Sequence, residues 1–172
     1  MRRLFLAVAA ACFLFGSAAA QMQSQAAQAA KSGTISSAWS CAVPSPVHAL
    51  PVGDTPDHMY VVRQVKCTAT KGEIAGVKEV EGTGTELVDA RGNNATGQGL
   101  FVEKLANGDT IHVRYDFKGT SKDKVFQTGS NKWSVVGGTG MFKGAKGSGS
   151  CTAKGNPDGS ANFECQGTYT LM

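Results

Sequence analysis

Beyond its first twenty residues the sequence has no long hydrophobic run, no cluster of charges of one sign and no long helical periodicity. Without an apolar run of about 20 residues, no membrane-spanning helix is predicted there. The 17 Lys and Arg and the 13 Asp and Glu are spread along the chain, so no nucleic-acid partner is predicted. No Ser, His and acid set typical of nucleophilic catalysis is visible, and no cofactor is predicted.

The N-terminus has the pattern of a secretory signal. Arg2 and Arg3 precede an apolar run from Leu4 to Phe15, and small residues follow up to Ala20. We expect cleavage after Ala20 and a periplasmic or secreted location. Residues 21–33 are rich in Gln, Ala and Ser and are predicted to form a flexible leader, which leaves 34–172 as a single domain.

Removal of the signal leaves four cysteines in an oxidising compartment, which predicts two disulfides. Four cysteines allow three connectivities. Two of the four flank a Pro-rich connection and the other two flank a tight turn at 156–159, so the members of each pair face each other across one hairpin. These positions predict the disulfides Cys41–Cys67 and Cys151–Cys165. A metal site is the less favoured alternative, because neither C-x-x-C spacing nor a nearby pair of His is present.

From residue 34 onward glycine recurs every several residues with Val, Ile, Thr, Tyr and Phe between, which is typical of an all-β domain. An open sheet would leave exposed edges, whereas pairing of the first strand with the last removes them. We therefore predict an eight-stranded antiparallel up-and-down barrel rather than a sandwich. The interior of such a barrel is filled by side chains or holds one small ligand. The predicted strands are 34–43, 58–70, 74–88, 95–105, 109–119, 123–136, 145–154 and 161–171.

The segment from Trp133 to Gly147 joins two predicted strands and is dense in glycine. It predicts a structural hairpin that depends on Gly137, Gly138, Gly140, Gly144 and Gly147. A phosphate-binding loop is excluded, because no Gly-Lys-Ser/Thr run opens a helix here.

This segment resembles the glycine-rich hairpin of plant allene oxide cyclases and dirigent proteins, and weaker likeness extends over about 97–151. The whole chain also resembles small exported bacterial proteins of unassigned activity. The resemblance implies an allene oxide cyclase-like barrel. It does not imply the cyclase reaction, because Gly33–Cys41 lacks the acid and the Asn that the cyclases carry on their first strand. No catalytic residue is therefore predicted.

Arg63 is the most suggestive single residue, because it shares the parity of the apolar residues on its strand. A charge that faces a barrel interior needs a partner. Glu79 and Glu81, on one face of the third predicted strand, are the nearest acids and are predicted to line a ligand-binding pocket with Arg63. The alternative is that a bulge after Val62 turns Arg63 outward and that both glutamates coat a solvated face.

Two further polar groups are expected to be solvated or structural. Regular alternation with an apolar face places the first group on the outside of its strand, and the second group lies in a Pro-rich connection that could bind a metal, act as a lid or cover one barrel end. The first comprises His112, Arg114, Asp116 and Lys118, and the second comprises His48, Asp54, Asp57 and His58.

Three functions follow from these features. The first is a non-enzymatic exported barrel that binds a small apolar ligand or serves as a structural envelope or extracellular module. The second is a cyclase-like or stereo-directing enzyme acting on a small hydrophobic substrate, in which holding a reactive molecule in one conformation supplies most of the chemistry. The third is an interaction protein that assembles with copies of itself.

Overall fold

A computed structural model describes residues 31–172. The predicted signal and most of the predicted leader lie outside the described residues. The described chain is almost entirely β-structure. Its elements are β1 (Lys31–Cys41), β2 (Val47–Pro51), β3 (His58–Lys71), β4 (Glu73–Ile74), β5 (Val77–Arg91), β6 (Asn94–Leu105), β7 (Thr110–Lys122), β8 (Val125–Gly138), a 3-10 turn (Gly140–Phe142), β9 (Lys146–Gly155) and β10 (Ala161–Leu171).

Eight of the strands form a closed antiparallel barrel, as predicted. Each strand from β5 to β9 pairs with the next strand in the chain, β10 pairs with β1, β1 pairs with β3, and β3 closes the ring against β5. Closure leaves no long free edge among the described strands. The two remaining strands are short: β2 pairs with β3, and β4 pairs with β5. Among residues 31–172, no helix is long and apolar enough to cross a membrane.

The first strand and its connection differ in detail from the prediction. β1 begins at Lys31, within the predicted leader, and its first residues pair with the end of β10. The connection from 44 to 57 contains β2, which pairs with the first half of β3, while β1 pairs with the second half. Pro44 and Pro46 lie between the two ladders, where a residue without an N–H interrupts regular pairing.

Both disulfides form as predicted. Cys41 lies directly opposite Cys67 in the β1–β3 ladder, and Cys151 lies directly opposite Cys165 in the β9–β10 ladder. All four side chains are on the interior face of the barrel. Two disulfides are consistent with the oxidising compartment that the N-terminal sequence predicts.

The segment between β8 and β9 closes one end of the barrel. β8 and β9 pair as an antiparallel hairpin, and Gly140 begins the 3-10 turn with a φ of 51°, a conformation that favours glycine. The turn directs Phe142 inward, where it is 0 % exposed. A layer of buried apolar side chains surrounds it, namely Ile74, Leu105, Ile111, Ala145 and Leu171.

Candidate functional site

The barrel is hollow rather than filled. An inner cavity of about 110 Å³ lies above the Phe142 layer, and a wider space of about 300 Å³ forms the mouth at the opposite end. The two adjoin, because six residues line both. The shared residues are Cys41, Val65, Glu86, Tyr115, Asn131 and Phe163.

The cavity exists because large and small residues alternate around the wall. Tyr115 lies over Gly99 and Trp133 lies over Gly149, at positions where an added Cβ would overlap the ring. Trp39 and Phe101 meet edge to face, with ring centroids 5.2 Å apart. The rings therefore lie against the wall instead of crossing the axis, and they give the inner cavity a largely apolar lining.

A polar group crosses the boundary between the inner cavity and the mouth. Arg63 and Glu86 are direct partners in the β3–β5 ladder, and Arg63 Nε donates to Glu86 Oε2 at 2.6 Å. The Tyr115 hydroxyl donates to Glu86 Oε1 at 2.9 Å. Burial, followed by the adjacent Glu86 charge, raises the pKa of Tyr115 well above its usual range. Glu86 is thus a carboxylate with a partner at each oxygen.

The inward orientation of Arg63 agrees with its apolar parity, since the β3–β5 register runs without interruption past this residue. Its guanidinium also lies over the Phe117 ring, with Cζ 5.9 Å from the centroid. The partner of Arg63 is Glu86, however, and neither Glu79 nor Glu81. The nearest acids in sequence were the wrong partners, because antiparallel pairing brings together residues far apart in the chain.

A second pair of carboxyl groups lies deeper, near the closed end. Glu79 and Glu103 are only 7% and 5% exposed, and both line the inner cavity. Among residues 31–172, no N–H or hydroxyl donor is partnered with Glu79 Oε2 or Glu103 Oε1, and both oxygens are buried. Glu79 Oε2 packs against Gly72, where a side chain would overlap the carboxyl group.

Burial sets the protonation of this pair. It raises the pKa of Glu79 to about 7, against the opposing effect of hydrogen bonds with Glu103 and Ser37. Burial, together with the nearby Glu79 charge, raises the pKa of Glu103 to about 9. Two carboxylates this close in an apolar cavity disfavour double ionisation. At neutral pH the pair therefore retains a proton.

Glu79 and Glu81 do not lie on one face, which corrects the prediction. A register shift in the β5–β6 ladder falls between them, and such a bulge changes which residues point inward. Glu81 lies on the outer surface, where Lys104 Nζ donates to its Oε1 at 2.7 Å and holds the pKa of this carboxyl below its usual range. Glu81 is therefore not part of the cavity.

The polar residues of β7 lie on the outer face of the barrel, as their alternation with apolar residues predicts. Arg114, Asp116 and Lys118 are exposed on the outer face. His112 is half-buried there and is 3.2 Å from the Thr110 hydroxyl through Nε2. None of the four lies in the inner cavity, although Lys118 reaches the edge of the mouth.

The second polar group, in the connection before β3, is partly assembled into a structural cluster. His58 is 1% exposed, and its two ring nitrogens lie 2.5 Å from Asp54 Oδ1 and 3.0 Å from Asp89 Oδ1. The hydrogen bond with His58 is the main cause of the lowered pKa of Asp54. His48 and Asp57 are exposed. Within residues 31–172, no group of three or more His, Cys, Asp or Glu is arranged to hold a metal ion.

Three residues that line the cavity were not predicted from the sequence as site residues, namely Glu86, Glu103 and Tyr115. Glu103 alternates with Phe101 and Leu105, so it is a charge on an apolar face, which is the same signal that drew attention to Arg63. Glu86 alternates with two glycines and Val88 on β5, a weaker signal. Tyr115 alternates with Val113 and Phe117 on the apolar face of β7, but nothing local indicates that its hydroxyl has a carboxylate partner.

Comparison with solved structures finds the same architecture in dirigent proteins. The structure of the pterocarpan synthase dirigent protein GePTS1 matches with a TM-score of 0.50 and 15% identity, over 83% of this chain and 89% of that one. This chain has a dirigent-like barrel. The pterocarpan synthase dirigent protein PsPTS1 matches with a TM-score of 0.48 and 14% identity, over 82% and 95% of the two chains. No family model matches the sequence, and no curated protein matches it.

Proposed function

We propose that this barrel binds a small, mainly apolar molecule in its interior and admits it through the open mouth. The observation that carries the proposal is the hollow interior itself, closed by the Phe142 layer at one end and open at the other. Concave sites with apolar walls and a few convergent polar groups are typical of ligand pockets. The Arg63, Glu86 and Tyr115 group at the mouth supplies donors and an acceptor that orient a bound molecule.

The two tryptophans of the protein both line the inner cavity, so ligand binding is expected to change their fluorescence. Titration with fatty acids and phenolics, read by this fluorescence and by thermal unfolding, tests the proposal. Val65 projects into the cavity and Val62, on the same strand, is exposed. We expect Val65→Phe to weaken binding about 10-fold or more by filling the space, and Val62→Phe to bind like the natural protein.

A folded Val65→Phe variant that binds as tightly as Val62→Phe would contradict an interior site. Absence of any ligand effect on the natural protein, with the same compounds, would leave only the structural role predicted from the sequence.

A second candidate function is stereo-direction of a reaction on the bound molecule. The specific observation that favours it is Glu103, a carboxyl that lies 5% exposed in the wall of the inner cavity. Burial raises its pKa to about 9, so it can donate a proton to a bound substrate. The barrel wall would hold the substrate in one conformation.

We expect the natural protein to change the product or enantiomer ratio in a phenolic radical-coupling or epoxy-fatty-acid cyclisation assay, and Glu103→Gln to reduce that change about 10-fold. Chiral chromatography of the products makes the measurement. Glu81→Gln, an outer-surface change on β5, is the matched control. Identical product ratios with and without the natural protein would count against this function for those substrates.

A further inference from the structure

We propose that the deep end of the cavity is a subsite for the ammonium group of a small apolar amine, with Glu79 and Glu103 as its acceptors. This inference rests on the proposed function, since it names the class of molecule that the barrel binds. It is carried by the geometry of the two carboxyl groups and by the distribution of charge around the cavity.

The first argument is the hydrogen-bonding capacity that the pair leaves unused. Apart from the proton that the pair itself retains, Glu79 Oε2 and Glu103 Oε1 have no hydrogen-bond donor among the described residues, although both side chains are more than nine-tenths buried. A buried acceptor without a donor costs free energy that a suitable donor recovers. An ammonium group carries three donors and no acceptor, so it meets this pair without leaving a new group unsatisfied.

The second argument is the sign of the charge. The described residues that line the inner cavity include three carboxyl side chains and no Lys, Arg or His. The one guanidinium nearby, Arg63, already serves Glu86. Among the described residues that line the inner cavity, no cation neutralises the deeper pair, so without a ligand a retained proton limits its charge. A bound cation would take over that role, and the carboxyl proton would pass to solvent.

The third argument concerns the apolar part of the ligand. The aromatic rings of Trp39, Phe101 and Trp133 line the same inner cavity as the two glutamates. Aromatic faces attract cations and also accommodate an apolar body. The volume of about 110 Å³ is comparable with the roughly 150 Å³ of an engineered apolar cavity that binds benzene. A single ring or short chain therefore fits, and a longer ligand extends into the mouth.

The same reasoning predicts what the subsite rejects. A carboxylate of similar size brings another negative charge into a cavity without a free cation, so it should bind least well. A neutral alcohol can occupy the space but supplies only one donor. The order of affinity expected is therefore amine, then alcohol, then acid.

The experiment compares 2-phenylethylamine, 2-phenylethanol and 3-phenylpropanoic acid by isothermal titration calorimetry with the natural protein near neutral pH. We expect the amine to bind about 10-fold or more tightly than the alcohol, because hydrogen bonds to charged groups are the stronger ones. In Glu79→Gln and Glu103→Gln this preference should fall to about threefold or less, with alcohol affinity retained. Glu81→Gln, an exposed carboxyl on the same strand, should keep the full preference.

The outcomes separate this inference from the proposed function. Equal binding of alcohol and amine by the natural protein overturns the ammonium subsite and leaves a cavity that binds apolar molecules. Binding of fatty acids or phenolics without binding of 2-phenylethylamine overturns it as well. If no compound binds, the proposed function itself fails.

Should a glutamine variant fail to fold, a measurement on the natural protein replaces it. Repeating the amine titration in two buffers of different ionisation enthalpy detects proton release. We expect the apparent binding enthalpy to differ between the buffers for the amine, because the ammonium displaces the retained carboxyl proton, and to agree for the alcohol. Identical enthalpies for the amine in both buffers contradict the exchange of a proton for the ammonium.

Discussion

At the scale of single residues, the four glutamates near the cavity show how surroundings decide chemistry. Glu86 accepts hydrogen bonds from Arg63 and Tyr115, and the Arg63 charge balances its own. Glu81 is exposed and paired with Lys104. Burial raises the pKa of both Glu79 and Glu103, and the Glu79 charge adds to the rise at Glu103. The last two are therefore the carboxyls on which the proposed ammonium subsite rests.

The raised pKa values of Glu79 and Glu103 predict how stability depends on pH. The folded state holds these protons more tightly than the unfolded state, whose carboxyls titrate near 4.5. The free energy of unfolding should therefore fall as the pH rises from about 5 to about 8.5, by an amount on the order of a few kcal/mol. Denaturant unfolding at several pH values measures this fall.

The matching variants test the origin of the pH dependence. Glu103→Gln should flatten the fall, because one of the two titrating groups is gone. Glu81→Gln should leave it unchanged, because the pKa of Glu81 is lowered and its contribution is lost only as the pH falls below the range tested. An undiminished slope in Glu103→Gln would show that the pH dependence originates elsewhere.

At the scale of elements, two irregular segments shape the site. The bulge in β5 places Glu79 inside the barrel and Glu81 outside it, so a single extra residue in the ladder decides which carboxyl lines the cavity. The glycine-rich segment after β8 carries Phe142 into the closed end. The first irregularity thus selects the chemistry of the cavity, and the second sets its depth.

Phe142 should therefore be a large contributor to stability. We expect Phe142→Ala to lower the free energy of unfolding by about 3–5 kcal/mol, the range typical of buried aromatic truncations. Met141 is its neighbour and is 42% exposed, so Met141→Ala should change stability by only about 0.5 kcal/mol. Denaturant unfolding of both variants makes the comparison. Equal effects would mean that the Phe142 layer does not hold the barrel end closed.

At the scale of the whole molecule, closure of the sheet turns eight amphipathic strands into a container. Each strand presents one face inward, and the glycines on several strands leave room for the aromatic rings of their neighbours. Both disulfides link neighbouring strands at positions directly across the ladder. The fold is shared with dirigent proteins at 15% identity, which indicates that strand pattern and closure, more than particular residues, specify this architecture.

The sequence by itself predicted the eight barrel strands and both disulfides from local pattern, and it predicted closure because an open sheet would leave exposed edges. Alternation with a period of two assigns most residues to a face, and the two cysteines placed symmetrically about the turn at 156–159 meet across one hairpin. The inward orientation of Arg63 follows from the same rule.

Only the tertiary structure decided what the barrel contains. The Arg63–Glu86 contact depends on cross-strand register, and the burial of Glu79 beside Glu103 depends on a bulge that leaves no clear local signal. Whether the rings fill the axis or lie against the wall depends on how all eight strands pack together. These contacts join strands that are distant in the sequence. Strand pattern therefore predicted the fold, but it did not predict which side chains meet inside the barrel.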